Sequence, residues 1–231
     1  MDNLRSIRPA GVLLAPLGRA SDKAVLEKFC GDIPTVLFDS NIEGLGSAFI
    51  GLDNGQSISM IVDYLCRTGE PPCLFEIRNA ANPNANKRRA AYLKAMEELR
   101  QRPQVISVDG EGWGFEDTGY SEGKKVIAAG SFATNTVLCS NDRLAIGLLS
   151  AAFELGVSVG HDVSNTMRIA GHDDHPFARF TCPPLTTVAQ DYAAISDRSF
   201  ETLFTMIDSG EKPDDRSETL FEGKLVMRAS A

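Results

Sequence analysis

Four polar residues stand just past the ends of short apolar runs. Asp39 follows Thr35-Val-Leu-Phe38, Asp53 follows Ala48–Leu52, Asn141 follows Thr136–Cys139, and Asp173 follows Met167–Ala170. Carboxylates and amides aimed into a cleft accept from or donate to several hydroxyls at once, which suits a sugar-like ligand. Such sites commonly add an aromatic face and one forked arginine. Trp113, the single tryptophan, sits in a polar glycine-rich stretch, and Arg88-Arg89 opens an expected helix. Each has a plainer reading. Asp and Asn at these places cap helices by accepting from free backbone N–H groups. Trp113 would equally serve as a lid over the core, and the arginines as a solvated pair working against the helix dipole.

Other chemistries fit less well. His172-Asp-Asp-His175 places two histidines at i, i+3 directly after a strand, not at the helical i, i+4 spacing of HExxH zinc hydrolases. Gly110-Glu-Gly-Trp-Gly114 is not GxGxxG, and its Glu and Trp oppose the approach of a pyrophosphate. No GxSxG or phosphate-loop motif occurs, and no cysteine has a convincing histidine partner in sequence. The expectation is a binding protein, not an enzyme, with no metal and no cofactor.

The elements that must position these residues alternate. Continuous apolar runs at Gly11–Ala15, Thr35–Phe38, Ala48–Leu52, Cys73–Ile77, Gln104–Val108, Thr136–Cys139 and Met167–Ala170 read as strands buried on both faces. Amphipathic helices are expected at Asp22–Cys30, from Ile58 to Leu65, at Lys87–Arg100, Glu116–Ala129 and Arg143–Leu155, and around Phe200–Ile207. A final strand is expected at Leu220–Met227. Strand–helix units at this spacing predict an α/β fold of parallel sheets flanked by helices, joined by right-handed crossovers. The helix at Arg143–Leu155 is apolar on two faces, Leu144/Leu148/Leu155 and Ile146/Leu149/Phe153. It is therefore either fully buried or shared between the core and a second subunit.

At 231 residues, with 43% hydrophobic and 23% charged side chains, the chain is able to bury one large core or two lobes. Its formal net charge of −8 argues against gripping phosphate backbones by itself. Five scattered cysteines, Cys30, Cys66, Cys73, Cys139 and Cys182, read as reduced thiols, not a disulfide framework. With no apolar signal core and no run near about 18 apolar residues, a cytoplasmic protein with no membrane association is expected.

Taken in order, the motifs resemble the effector-binding core of lactose-repressor-type transcription regulators, itself similar to periplasmic sugar-binding proteins. The residues that carry the resemblance are Gly11-Val-Leu-Leu-Ala-Pro16, Ile33-Pro-Thr-Val-Leu-Phe-Asp39, Leu52-Asp-Asn-Gly55 and Arg88-x-x-Ala-Tyr92. They continue with Ser140-Asn-Asp-x-x-Ala-Ile-Gly147, Gly156-Val-x-Val-Gly-x-Asp-Val-Ser164, Gly171-His-Asp-Asp174 and Pro183-Pro-Leu-Thr-Thr-Val-x-Gln-Asp191. The resemblance implies a two-lobed, type I periplasmic-binding-protein-like fold, with residues 1–51 and 192–210 in an N-terminal lobe and 52–191 and 211–231 in a C-terminal lobe. It also implies a sugar-like effector held between the lobes by Asp39, Arg88, Trp113, Asn141, Asp173 and Gln190, and a homodimer. Ala15 falls where some members carry a polar contact, and Ala91 replaces the usual Gly. The family's DNA-binding headpiece, and the first strand–helix–strand portion of its N-terminal lobe, have no counterpart in these residues, so a truncated N-terminal lobe is expected, with DNA reached only through the missing headpiece. A solute receptor of a transport system shares the fold and stands as the alternative.

Overall fold

Successive side chains of a strand lie on opposite faces, and Thr35–Phe38, Ala48–Leu52, Cys73–Ile77 and Thr136–Cys139 carry buried residues on both. The computed structural model describes residues 6–17, 23–79, 82–110, 112–162, 164–210 and 216–231. Asp22, Glu111 and Val163, which figure in the expected first helix, the glycine-rich turn and one family motif, lie outside them. The chain divides into two compact units. The first comprises Met1–Asp53, Ala81–Asn84 and Asp191–Glu222, the second Asn54–Ala80, Ala85–Gln190 and Gly223–Ala231.

In the first unit the strands β1 (Val12–Leu14), β2 (Thr35–Phe38), β3 (Ala48–Leu52) and β9 (Ser217–Phe221) form a parallel sheet in the order β1-β2-β3-β9. Helices α1 (Lys23–Asp32) and α6 (Tyr192–Ser209) pack with it. Val36, Ala48 and Ile50 meet Ile195, Leu203 and Met206 of α6. The alternate residues Leu37 and Phe49 meet Leu26 of α1. Helix α6 is capped at one end by the Asp191 side chain, which accepts from the Ala194 N–H at 3.0 Å, and ends at Gly210 with φ 66°.

In the second unit β4 (Cys73–Ile77), β5 (Val105–Val108), β6 (Thr136–Cys139) and β7 (Arg168–Ala170) form a parallel sheet in the order β5-β4-β6-β7. Leu74, Leu138 and Ala170 face helices α2 (Asn54–Thr68) and α3 (Asn84–Glu98), through Ile58, Ile61, Leu65, Tyr92 and Met96. Phe75, Val137 and Ile169 face α4 (Phe115–Ala128) and α5 (Asp142–Glu154), through Phe115, Leu144, Leu148 and Leu149. Each such large side chain withdrawn from water contributes about 1.5–3 kcal/mol. Tyr92, matched loosely to a family motif, is wholly buried and donates its hydroxyl to the Pro72 carbonyl at 2.7 Å, a core role.

Helices α4 and α5 cross in backbone contact. A Cβ on Gly119 would overlap the Leu144 carbonyl oxygen, and one on Gly147 the Glu116 carbonyl oxygen. Both apolar faces of α5 contribute to the core, Leu144 and Leu148 from one and Leu149 from the other, while Leu155 and Phe153 at the far end are left 39% and 83% exposed.

The C-terminal stretch departs from expectation. Leu220–Met227 is not one strand but the end of β9 and a separate strand, β10 (Lys224–Val226), which pairs antiparallel with β8 (Thr187–Ala189). Residues 211–231 were expected in the second lobe as a block. Yet Ser217–Phe221 runs parallel to Ala48–Leu52 in the first unit, because Glu222-Gly223 breaks the apolar pattern and lets the chain change sheets.

Candidate functional site

The ends of β6, β7 and β8 in the second unit carry a buried polar cluster built on Arg88. Helix α3 begins at Asn84, earlier than expected, so Arg88 lies in its second turn and does not oppose an open helix N-terminus. Arg88 is only 5% exposed, and its guanidinium is held from three directions. Nε donates to Asn54 Oδ1 at 3.0 Å and Nη1 to the Ser140 carbonyl at 2.8 Å. The forked Nη groups take Asp173, Nη2 to Oδ1 at 2.6 Å and Nη1 to Oδ2 at 3.4 Å. Burial alone would raise the Asp173 carboxyl, but the Arg88 guanidinium beside it holds it well below the usual carboxylate range. Gln190 Nε2 also donates to Asp173 Oδ1, at 2.7 Å.

The backbone presenting Asp173 is strained. Asp173 has φ 122° and Asp174 φ 50°, values that residues with a side chain seldom adopt. Several bonds over-determine this turn. The Asp173 N–H donates to the Val188 carbonyl at 3.0 Å, and Arg228 Nη2 donates to Asp174 Oδ1 at 2.6 Å. Asp142, at the start of α5, accepts from the His175 N–H at 2.7 Å and from the Thr187 hydroxyl at 2.6 Å. Burial pushes the Asp142 carboxyl up to about 7. Gly171 has no room for a side chain, since a Cβ there would overlap Asp142 Oδ1.

His172 closes the cluster from behind. It is completely buried, with Nδ1 3.1 Å from Asp173 Oδ1 and Nε2 3.0 Å from Ser57 Oγ. A carboxylate only accepts, so Nδ1 carries the proton and Nε2 accepts from the serine hydroxyl. Burial, reinforced by Arg88, lowers the imidazole to about 4, so it is neutral at pH 7. The Ser57–His172–Asp173 order has the connectivity of a hydrolase triad, but Ser57 is 0% exposed and its hydroxyl is out of a substrate's reach. His175 does not join its neighbour: its Nδ1 accepts from the Phe177 N–H at 3.3 Å. Among the described residues no group of three or more His, Cys, Asp or Glu is placed to hold a metal ion.

Of the six residues singled out in the sequence, Arg88, Asp173 and Gln190 are in direct contact. Asn141 caps α5, its Oδ1 accepting from the Leu144 N–H at 2.8 Å, a bond that does not engage its amide nitrogen. Capping and ligand contact are therefore compatible in one side chain. Trp113 is 47% exposed and meets Phe115 edge to face at 5.9 Å. Asp39 lies in the first unit with φ 59°. Its carbonyl accepts from Asn84 Nδ2 at 3.1 Å, beside an apolar groove of about 650 Å³ lined by Leu13, Phe38, Tyr192, Ile195 and Phe200. Arg89 is no solvated partner of Arg88: it pairs with the buried Glu76, which also accepts from Ser107 Oγ. Asn54, Ser57 and the Ser140 carbonyl escaped the sequence reading. Only the proximity of the first two to the end of a strand at Leu52 could have marked them.

Residues 68–231, well over half of the chain, match the family model described as a periplasmic binding protein-like domain. The chain is 34% identical over 225 residues to the HTH-type transcriptional repressor PurR of Pasteurella multocida, covering 96% of this chain and 64% of that protein. It is 30% identical over 205 residues to the HTH-type transcriptional regulator MalR of Streptomyces coelicolor, covering 86% of this chain and 56% of that protein. It thus spans less than two thirds of the length of these relatives. A structure of the lactose repressor bound to the anti-inducer ONPF superposes with a TM-score of 0.82 at 21% identity, over 100% of this chain and 81% of that one, a likeness of fold. Among the described residues no helix is long and apolar enough to cross a membrane. The chain belongs to the periplasmic binding protein-like domain family.

Proposed function

We propose that this core binds a small polar metabolite, a sugar or a related compound, and that ligand binding regulates transcription by the full-length protein. The observation that carries the reading is the strained, over-determined presentation of Asp173, bonded to Arg88 and Gln190 at the carboxyl ends of parallel strands. Ligands of open α/β sheets bind at such ends. Asn141 contributes an amide donor and Trp113 an aromatic face. Asp39 remains a proposed effector residue on the strength of its strand-end position and its positive φ. The relatives named as transcriptional repressors and regulators favour this reading over a transport receptor.

The core works as a homodimer in this proposal, with Phe153 of α5 in the shared surface. DNA is read by a basic segment other than these residues, consistent with their net charge of −8. Five free cysteines fit a reducing cytoplasm. The effector shifts an equilibrium between states only by its differential affinity for them, typically about 1–3 kcal/mol of coupling. A thermal-shift screen of sugars and nucleosides tests the proposal, because a ligand that prefers the folded state raises its midpoint. Asp173→Asn and Arg88→Ala are expected to abolish any hit; full affinity in both variants rejects the site.

A further inference from the structure

Resting on the reading of Trp113 as the aromatic face of the site, we infer that Arg143 is the residue that positions it. Arg143 grips Glu116 and covers Phe115, and so fixes the Trp113 ring relative to Asn141. The stretch around Trp113 has little of its own to hold it. Gly112, with φ 54°, and Gly114 flank the tryptophan, and its ring meets Phe115 edge to face. Gly114 occupies the N-cap of α4 and makes no side-chain cap bond, so the first N–H groups of that helix lack their usual acceptor. Glu116, in the first turn of α4, stands in for the cap. Its carboxylate accepts from its own backbone N–H and from two nitrogens of Arg143, Nε to Oε1 at 2.6 Å and Nη2 to Oε2 at 2.7 Å. Partial burial alone would raise this carboxyl, but those bonds hold it below the ordinary carboxylate value.

By local rules Arg143 is out of place. It is the second residue of α5, where a cation opposes the helix dipole, and it follows Asn141 by two residues. The fork onto Glu116 offsets that cost, and a planar fork fixes direction as well as distance. The same guanidinium lies 5.3 Å from the centre of the Phe115 ring. Phe115 is buried in the core, so its edge is a fixed post for Trp113 once the turn beside it is held. One arginine thus joins the start of α5, just after Asn141, to the start of α4, just after Trp113. The glycine contact at Gly119 and Gly147 lies further along both helices. It sets how closely the two axes approach and leaves the uncapped first turn of α4 free to fray.

Trp113 is the single tryptophan, so the protein's indole emission reports on this one ring. The test is acrylamide quenching and anisotropy of that emission, with the thermal midpoint measured in parallel. Arg143→Met keeps an apolar stem and removes the fork. It is expected to raise the quenching constant about twofold and to lower the anisotropy at temperatures well below the midpoint, because local fraying exposes and frees the ring. Glu116→Gln is expected to move both readings in the same direction by a smaller amount. Arg67→Met, which removes an exposed pair with Asp63 on α2, is the control and leaves both unchanged. Glu116 and Arg143 are both partly exposed, so sodium chloride at about 1 M should raise quenching in the wild type and have little effect on Arg143→Met. Unchanged quenching and anisotropy in Arg143→Met overturn the inference, and a lower midpoint alone then marks Arg143 as a packing contact. A change in Arg143→Met that Glu116→Gln does not share places the effect outside the ion pair and overturns it as well. None of these readings needs a ligand, so the inference can fail while the sugar and nucleoside screen succeeds, and the reverse.

Discussion

Gly119 and Gly147 face one another across the α4–α5 crossing, and neither has space for a single methyl group. The obstacles are carbonyl oxygens of the opposite helix, Leu144 for the first and Glu116 for the second, which cannot swing aside as a side-chain tip would. Gly147→Ala is therefore expected to destabilise the protein by about 1–3 kcal/mol, the range for overpacking a tight interior. Urea unfolding reads this as a lower midpoint with an unchanged slope. An unchanged midpoint means that the helices can part without loss.

Asp142 and His172 titrate in opposite senses over the same pH range. Burial raises Asp142 from 3.8 to about 7, so the folded state holds this proton more tightly than the unfolded chain, and its contribution to stability falls as pH rises from about 4 to 7. Burial lowers His172 from 6.5 to about 4, so the unfolded chain binds that proton more tightly, and its contribution rises with pH from about 4 to 6.5. The wild type is expected to show little net slope from this pair. Asp142→Asn should make stability climb with pH across that window, and His172→Asn should make it fall. Chemical denaturation at a series of pH values checks both signs, and equal profiles for the two variants would defeat the assignment.

Removing one partner of a buried ion pair leaves the other charge stranded. Arg88→Met is expected to cost about 3 kcal/mol or more, because Asp173 then stays in the cluster without its counter-charge. Asp173→Asn should cost less. The double variant should be more stable than the sum of the two losses, with a coupling above about 1 kcal/mol. Additive losses in equilibrium unfolding would mean that the two groups do not depend on each other.

Phe153 is too exposed to support the monomer's own core. If it lies in the proposed subunit contact, Phe153→Asp should weaken self-association at least tenfold while leaving the thermal midpoint of the monomer within about 1 °C, since exposed substitutions are usually within about 0.5 kcal/mol. Sedimentation equilibrium over a concentration series decides this.

The sheet architecture was legible in the sequence because parallel strands buried on both faces must be apolar throughout, as Cys73–Ile77 and Thr136–Cys139 are. Strand β8 was not, since Thr187–Ala189 is short and its partner strand, Lys224–Val226, lies far away in sequence. The break at Glu222-Gly223 was likewise hidden inside one apolar-looking run. Strand-end logic and family resemblance together pointed to Asp173, and to Arg88 and Gln190, each of which bonds it. His172 and His175 were set aside as a metal pair on their spacing, but the spacing did not show that the His175 ring turns to Phe177 and the His172 ring to Ser57. Spacing along the chain cannot distinguish those two directions, because each is set by residues from another helix or turn.

Strand β3 has its two parallel neighbours at very different distances along the chain: Thr35–Phe38 precedes it by about a dozen residues, and Ser217–Phe221 follows more than 160 residues later. On a ribosome adding about 5–20 residues per second, one edge of Ala48–Leu52 therefore waits roughly 10–30 s for its partner. Through that interval the second unit can fold almost in full, while the first presents an unpaired apolar edge of the kind that recruits other strands. The first sheet is thus begun early and completed late, and synthesis of Ser217–Phe221, not of Ala48–Leu52, sets when it closes.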